Sequence, residues 1–376
     1  MSGPGRRRQF IFVILGLLSA VGPFSIDMYL PAFDNIATNL DTTVAHIQYS
    51  LTSFFIGISS GQLVYGPLLD RFGRKPPLIV GLVIYIAASL GCALTNSADH
   101  LIVYRFIQAL GSCSGLVASR AMVRDFFGPA ESARIFSLLM LVIGISPILA
   151  PSVGGFVMLH WDWHGIFLIL TGITTLILIA VVFKLPESHR PNPQLSLLPR
   201  HIINAYWQVF RHRQFFTYAL AGGLASSGLY AYLAGSPYLM ITKYGLSQQQ
   251  YGLVFGLIAS ALIAARQLNR YVLKRLTSAF LAKRALTIQS AMGLLLVAFS
   301  VAGWMNAYLM VGLVFLFVGS QGFIFPNTSA LALAPFSELA GSASALLGSL
   351  QMAIGAISSG AVSYLHNETA IPMTSV

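Results

Sequence analysis

Charged residues are what this 376-residue chain has least of. Only 9% of it is Asp, Glu, Lys or Arg, against about 25% in an ordinary soluble domain. With 56% hydrophobic residues and a mean hydropathy of +0.75, it lacks the charge to cover a soluble surface of this size. A soluble enzyme, a nucleic-acid-binding domain and a disordered chain are excluded. Cysteine is scarce too. Cys92 and Cys113 both fall in apolar runs, so neither a disulfide framework nor a zinc site is indicated. The eight histidines (46, 100, 160, 164, 189, 201, 212 and 366) all fall at or between predicted span ends. No metal centre is therefore expected within the membrane.

What remains is an all-α polytopic membrane protein, solvated by lipid over most of its length. The 34 Gly and 17 Pro do not argue against helices, because membrane spans tolerate both. A span needs about 20 apolar residues. Eleven windows qualify: 10–32, 47–69, 77–96, 101–121, 134–158, 164–184, 215–240, 249–270, 285–304, 307–330 and 340–365. Arg6-Arg7-Arg8 followed by FIFVILGLLSAVG has the charged and apolar parts of a signal peptide. The apolar run continues towards Phe33 with no convincing cleavage site, so it reads as an uncleaved first span. The longest polar connection, 185–214, contains Pro186, Pro191, Pro193 and Pro199. It divides the chain into an N-terminal six-helix bundle (1–184), a linker (185–214) and a C-terminal bundle of five helices (215–376).

The net charge of +11 reads as topogenic in a membrane chain. With the N-terminus in the cytoplasm, nineteen of the 22 Lys and Arg lie at that terminus or in the loops after spans 2, 4, 6 and 8. Arg134 and the triplet Arg6 to Arg8 are among them. Arg105 and Arg266 lie within spans, and only Lys243 faces outward. The outer loops carry Asp34, Asp41, Asp99, Asp162 and Glu368 instead. A cytoplasmic N-terminus in a bacterial inner membrane is expected.

Two ionisable residues inside spans carry the chemistry. Asp27, in SIDMYLPAF, costs roughly 2.5–3.5 kcal/mol to place in a span, and such a residue usually faces a cavity. It shares one helical face with Gly16, Ser19 and Pro23. Arg105, in YRFIQALGSCSG, shares a face with Gln108, Ser112 and Gly115. Both ionisable residues fall in the outer third of their spans, so the two could pair, directly or through water. In span 5, Gly144, Pro147, Pro151 and Gly155, with Gly154 beside them, form a stripe that lets helices approach closely. The second half offers Tyr230, Tyr232, Gln321, Asn327 and Gln351, which with Gln108 suit an adaptable pocket for amphipathic molecules.

The loop GPLLDRFGRKPP, residues 66–77, holds Gly66, Asp70, Arg71, Gly73, Arg74 and Lys75. Gly73 permits a tight turn, and Asp70 can pair with an arginine or meet a helix N-terminus. These six residues resemble the G-x-x-x-D-R-x-G-R-[KR] signature of the major facilitator superfamily. SIDMYLPAF, RFIQALG, ISPILAPSVGG and LPES (185–188) add a resemblance to its Bcr/CflA, bicyclomycin-resistance-like branch. The resemblance implies two pseudo-symmetric six-helix bundles, a gating role for the 66–77 loop and a part for Arg105 in proton coupling with Asp27. In this sequence Ala150 precedes Pro151, where the drug-antiporter signature commonly has Gly-Pro. The chain ends at AIPMTSV, just past the polar turn His366-Asn367-Glu368-Thr369, so the twelfth helix is expected to be missing.

No G-x-x-x-x-G-K-[ST] loop is present, so ATP is not expected to be the direct energy source. The expected activity is proton-driven export of small drug-like molecules by a monomer that uses no cofactor. A transporter of a natural metabolite, such as a sugar, nucleoside or amino-acid derivative, has the same fold. A nonfunctional truncated homologue is the other alternative. A membrane-embedded enzyme would need a cluster of buried nucleophiles or acids, and the spans hold one acid.

Overall fold

The computed structural model describes the backbone of residues 4–127, 129–192, 197–336 and 339–376, and their side chains except 4–8, 129–130, 132–134, 136–138 and 140–141. Pro193 and the side chains of Arg6, Arg7, Arg8 and Arg134 lie outside the described residues.

Every regular element among the described residues is helical. α1 (Pro4–Asp27) leads through a 3-10 turn (Leu30–Ala32) into α2 (Phe33–Asn39). Then follow α3 (Val44–Phe72), α4 (Lys75–Leu94), α5 (Ala98–Phe126), α6 (Pro129–His160) and α7 (His164–Lys184). After α8 (Pro199–Arg211), α9 (Arg213–Pro237) continues as a π-helical turn (Tyr238–Lys243). α10 (Gln248–Val272), α11 (Ser278–Val301), α12 (Ala307–Leu333), α13 (Ala340–Tyr364) and the short α14 (Ile371–Ser375) complete the order. Each of the eleven expected windows falls on a helix of at least 20 residues, long enough to cross about 30 Å of hydrocarbon.

Nine spans meet the length and composition of a membrane crossing among the described residues. α3 and α9 are the long helices that fall short, and the reason is what they bury. α3 buries Gln48, Ser50, Ser59 and Gln62, and α9 buries Ser226, Ser236 and several glycines. Both spend their surface on other helices rather than on lipid. The linker, read from the sequence as a polar connection, is partly helical. It contains the amphipathic helix α8, whose Val209 is buried.

Helices α1 to α7 pack as one bundle and α9 to α13 as another, and two seams join them. In the first seam α3 meets α13 through small hydroxyl residues. Ser59 Oγ donates to the Ser349 carbonyl at 2.9 Å, and Thr52 Oγ1 donates to Ser359 Oγ at 2.9 Å. In the second seam α6 meets α10 along the expected Gly/Pro stripe. A Cβ on Gly155 would lie 3.1 Å from the Gln248 carbonyl, and one on Gly144 would lie 3.6 Å from Ile263. Gly154 instead faces the Met28 carbonyl, just past α1. Small residues at membrane seams let backbones approach where no hydrophobic driving force exists between helices.

The apolar cores show which end of the molecule is shut. One cluster spans both bundles, joining Tyr29, Phe33 and Trp163 to Tyr232, Leu239 and Tyr251. It lies at the face that carries Asp34, Asp99 and Glu368, called here the acidic face. At the opposite, basic face the cores are separate. One contains Leu15, Leu69 and Met122; the other contains Phe215, Ala332 and Leu347. A cavity of about 410 Å3 lies between them, lined by Asp70, Arg120 and Arg124 of the first bundle, Tyr206 of α8, and Gly341 and Ser342 of α13. The molecule is therefore joined at the acidic face and parted at the basic one.

Gly154→Leu would drive a side chain into the Met28 carbonyl, a backbone atom that cannot turn aside. The expected loss is roughly 1–3 kcal/mol, read as a lower melting temperature of the detergent-purified protein. Gly172→Leu in α7, with open space around it, should leave that temperature unchanged. Equal melting of the two variants would contradict the close approach of α6 to the end of α1.

Candidate functional site

Arg105 is fully buried on α5, and its surroundings draw on most of the first bundle. Nη1 donates to Gln108 Oε1 at 2.6 Å, and Nη2 donates to the Ser25 carbonyl of α1 at 3.0 Å. Gln108 Nε2 in turn donates to Ser89 Oγ of α4 at 3.0 Å. The guanidinium lies 4.2 Å from the ring centre of Phe54, 4.7 Å from Tyr29 and 5.8 Å from Phe167. Hydroxyl pairs lock this box: Tyr29 with Ser50 at 2.6 Å and Ser25 with Tyr85 at 2.6 Å. A cation over aromatic faces is stabilised by their quadrupoles, more so when desolvated.

Asp27 makes no direct hydrogen bond or ion pair with Arg105. It is 5% exposed and has no hydrogen-bond or ion-pair partner among the described residues. Its charge lies within electrostatic reach of Tyr232 and Tyr251 in the other bundle. The reason is helical phase. At 100° per residue, Asp27 is about 200° around α1 from Ser25, and Ser25 is the residue that faces Arg105. SIDMY therefore presents Ser25 and Tyr29 to its own bundle and Asp27 to the opposite one.

The six expected pocket residues are distributed rather than gathered. Gln108 belongs to the Arg105 box. Tyr230 stacks edge-on against Phe55 of α3 at 4.9 Å and donates to Met352 Sδ at 3.7 Å. Gln321 donates to the Ala225 carbonyl. Asn327 donates to Asn269 Oδ1 at 2.7 Å, bridging α12 to α10. The Tyr232 hydroxyl, Gln351 Nε2 and both side-chain polar atoms of Gln48 are buried without a partner among the described residues. The basic-face cavity is lined by none of the six, but by Gly66, Asp70 and Arg74 of the 66–77 loop. Among the described residues no cluster of three or more His, Cys, Asp or Glu fit to hold a metal is present.

The 66–77 loop is the centre of a second polar cluster. Gly73 has φ +86°, a conformation that disfavours side chains. A Cβ there would also lie 3.0 Å from Glu187 Oε2. Glu187 caps the start of α4: Oε1 accepts from Arg74 N at 2.8 Å and Oε2 from Lys75 N at 2.9 Å. A carboxylate at a helix N-terminus meets free N–H groups and the positive end of the dipole. The Arg74 guanidinium bonds Asp70, and its Nε donates to Asp125 Oδ2 at 3.0 Å. Burial works against the Arg74 charge, but the hydrogen bonds and charges of Asp70 and Asp125 outweigh it and hold its pKa above the usual arginine value. Lys75 Nζ donates to the Val182 carbonyl at 2.8 Å, and the Arg71 carbonyl accepts from Asn192 N at 3.1 Å. The loop thus ties the basic-face ends of α3, α4, α5 and α7 together.

The family model described as Major Facilitator Superfamily matches residues 15–359. The chain belongs to the major facilitator superfamily. Members are transporters rather than enzymes, and this superfamily protein is a multi-pass membrane protein. A bicyclomycin resistance protein homolog of Haemophilus influenzae is 32% identical over 372 residues, covering 98% of this chain and 92% of that protein. Multidrug resistance protein D of Escherichia coli is 31% identical over 348 residues, covering 92% and 86%. A variant of the nucleoside transporter NupG shares the fold at a TM-score of 0.76 and 13% identity, covering 98% of this chain and 94% of that one. The resemblance read from SIDMYLPAF, the 66–77 loop and RFIQALG is borne out.

Asp125 and Glu187 were not singled out from the sequence, although both lie in readable places. Asp125 follows Arg124 at the end of α5, and Glu187 is the acid of LPES. What hid them is that their partners are 51 and 113 residues away in Arg74.

Arg105→Lys keeps the charge but replaces a flat fork by a single ammonium. It should lower the unfolding free energy of the purified transporter by roughly 1.5–3 kcal/mol, the usual worth of a hydrogen bond to a charged group. A denaturation midpoint equal to that of the unaltered protein would show that the Ser25 and Gln108 bonds contribute nothing.

Proposed function

We propose that this transporter exports small drug-like molecules across the bacterial inner membrane in exchange for protons, working as a monomer with its basic face and N-terminus in the cytoplasm. The resistance proteins it resembles support the substrate class. The distribution of Lys and Arg supports the orientation. No cofactor takes part, and the proton gradient supplies the energy. One elementary charge crossing is worth about 2.3 kcal/mol per 100 mV, enough for roughly a fifty-fold substrate gradient.

The observation that carries this reading is the position of Asp27. It is a buried acid, it has no cation as partner among the described residues, and its charge reaches the other bundle at the shut end. A carboxylate closed away from water is costly when charged and far less so when it holds a proton. Parting of the bundles at the acidic face would wet Asp27 from outside, and closure would seal it with its proton. Arg105 then acts as a positioning residue. It grips the Ser25 carbonyl, two residues before Asp27, and so fixes the azimuth of the carboxyl without neutralising it. The 66–77 loop, with Asp70 facing the basic-face cavity, is the gating element of the cytoplasmic side.

Everted membrane vesicles holding a pH gradient provide the test, with bicyclomycin as the probe. With the unaltered transporter, adding the drug should dissipate the gradient. With Asp27→Asn it should not, while drug binding to the purified variant persists. Proton exchange by Asp27→Asn at the unaltered rate would sink the assignment. If a sugar or nucleoside moves protons and bicyclomycin does not, the substrate is a natural metabolite.

A further inference from the structure

The helix between the bundles has a surface that the transport reading does not use. α8 runs from Pro199 to Arg211 and is separated by His212 alone from α9, which begins at Arg213. α9 packs along α12 and α13, both of membrane-crossing length and composition, so the C-terminal end of α8 is held at the membrane boundary of the basic face. Its inner side is occupied. Val209 belongs to a core with Phe215 and Leu347, and Tyr206 donates to the Leu63 carbonyl of α3 at 3.0 Å. Burial, and then the charge of Asp70, push the Tyr206 hydroxyl up to about 12, so it remains a donor.

The outer side is apolar and open. Ile203, Trp207 and Phe210 fall at i, i+4 and i+7, one helical face. Ile203 is 62% exposed and Trp207 54%. This face is continuous with the outward surface of α9, since the Phe210 ring meets exposed Phe216 edge-on at 5.3 Å. Arginines flank it. Arg211 lies over the Trp207 ring at 5.9 Å, and Arg200 and Arg213 are exposed. Nothing nearby in the chain balances them: no Asp or Glu occurs between Glu187 and Glu338. Tryptophan beside arginine, on a helix running alongside the start of a span, suits the boundary between acyl chains and headgroups.

We propose that α8 is an interfacial helix whose Ile203, Trp207 and Phe210 lie in the leaflet at the basic face, and whose Arg200, Arg211 and Arg213 bind anionic phospholipid headgroups. The occupant follows from charge complementarity and from the continuity of the apolar face with α9. Binding would hold α8, and with it one wall of the basic-face cavity, against the membrane. The inference is independent of the transported substrate.

The test uses the full chain in phosphatidylcholine vesicles containing either brominated phosphatidylglycerol or brominated phosphatidylcholine at equal mole fraction. The difference in emission between the unaltered protein and Trp207→Phe isolates Trp207. Brominated phosphatidylglycerol should quench that signal more strongly. Converting Arg200, Arg211 and Arg213 to Gln should remove the preference, about fivefold in relative affinity per arginine. Native mass spectrometry of the purified protein should show less retained phosphatidylglycerol in the triple variant. Equal quenching by the two lipids, or quenching by aqueous iodide alone, would overturn the proposal. So would unchanged lipid retention in the triple variant, which keeps the buried side of α8 intact.

Discussion

The two bundles share an apolar core at one face and keep separate cores at the other, and the remaining geometry follows from that division. Tyr29, Phe33 and Trp163 interlock with Tyr232, Leu239 and Tyr251, so the acidic face cannot part without exposing this surface. Between the faces the seams combine close contacts of Ser, Thr, Gly and Pro with a few large side chains, Tyr230 on Phe55 and Met352 on Phe54 and Ile58. Packed interfaces of this kind favour discrete alternative arrangements over continuous deformation. In the proposed alternating access, a polar residue in the shared core occupies the place whose environment would change most. Asp27 is in that place.

Arg105 serves a different purpose from its charge sign alone. Its guanidinium reaches Ser25 of α1 and Gln108 of α5, rests on Phe54 of α3 and Phe167 of α7, and through Gln108 reaches Ser89 of α4. A lysine has neither the fork nor the flat face for this set. Nε remains without a partner among the described residues, so the cation is held by rings and neutral acceptors rather than by a carboxylate. The positive charge of the first bundle and the negative charge of Asp27 thus occupy opposite sides of α1. Neutralising each other would have removed the carboxyl's sensitivity to water and protons.

The spans were legible because lipid leaves one solution for a long apolar run: a helix that satisfies its own backbone. The least apolar spans, α3 and α9, were legible too, since Phe54-Phe55 and Leu229 to Leu233 maintain enough hydrophobicity around their buried polar residues. α8 was hidden by its prolines and arginines. Yet Ile202-Ile203, Tyr206-Trp207 and Val209-Phe210 recur at helical spacing, a period that marks an amphipathic helix where average hydropathy does not. The depth of Asp27 and Arg105 is legible in the sequence, but which way each faces is not. Hydropathy supplies depth along a span; it says nothing of azimuth between spans. The phase of Ser25 and Tyr29 relative to Asp27 held that information, but only once Arg105 was known to face Ser25. The ties from Arg74 to Asp125 and Glu187 are long-range in sequence and had no local signature.

The placement of acids gives the molecule its asymmetry. From residue 188 to residue 337 the chain has no carboxylate, so α9 to α12 contain no acidic side chain of their own. What the second bundle turns towards Asp27 is neutral: the hydroxyls of Tyr232 and Tyr251. Apart from Arg266, which lies over the Phe325 ring, its interior polarity is carried by amides and hydroxyls such as Gln321, Asn269 and Asn327, engaged with one another and with backbone carbonyls. These groups can exchange partners without changing charge, whereas the first bundle holds Asp27 and the fully buried Arg105. A neutral wall facing a lone acid neither fixes its proton by pairing nor repels it. In the proposed proton exchange, the shared core at the acidic face is what would open and close the path of water to Asp27.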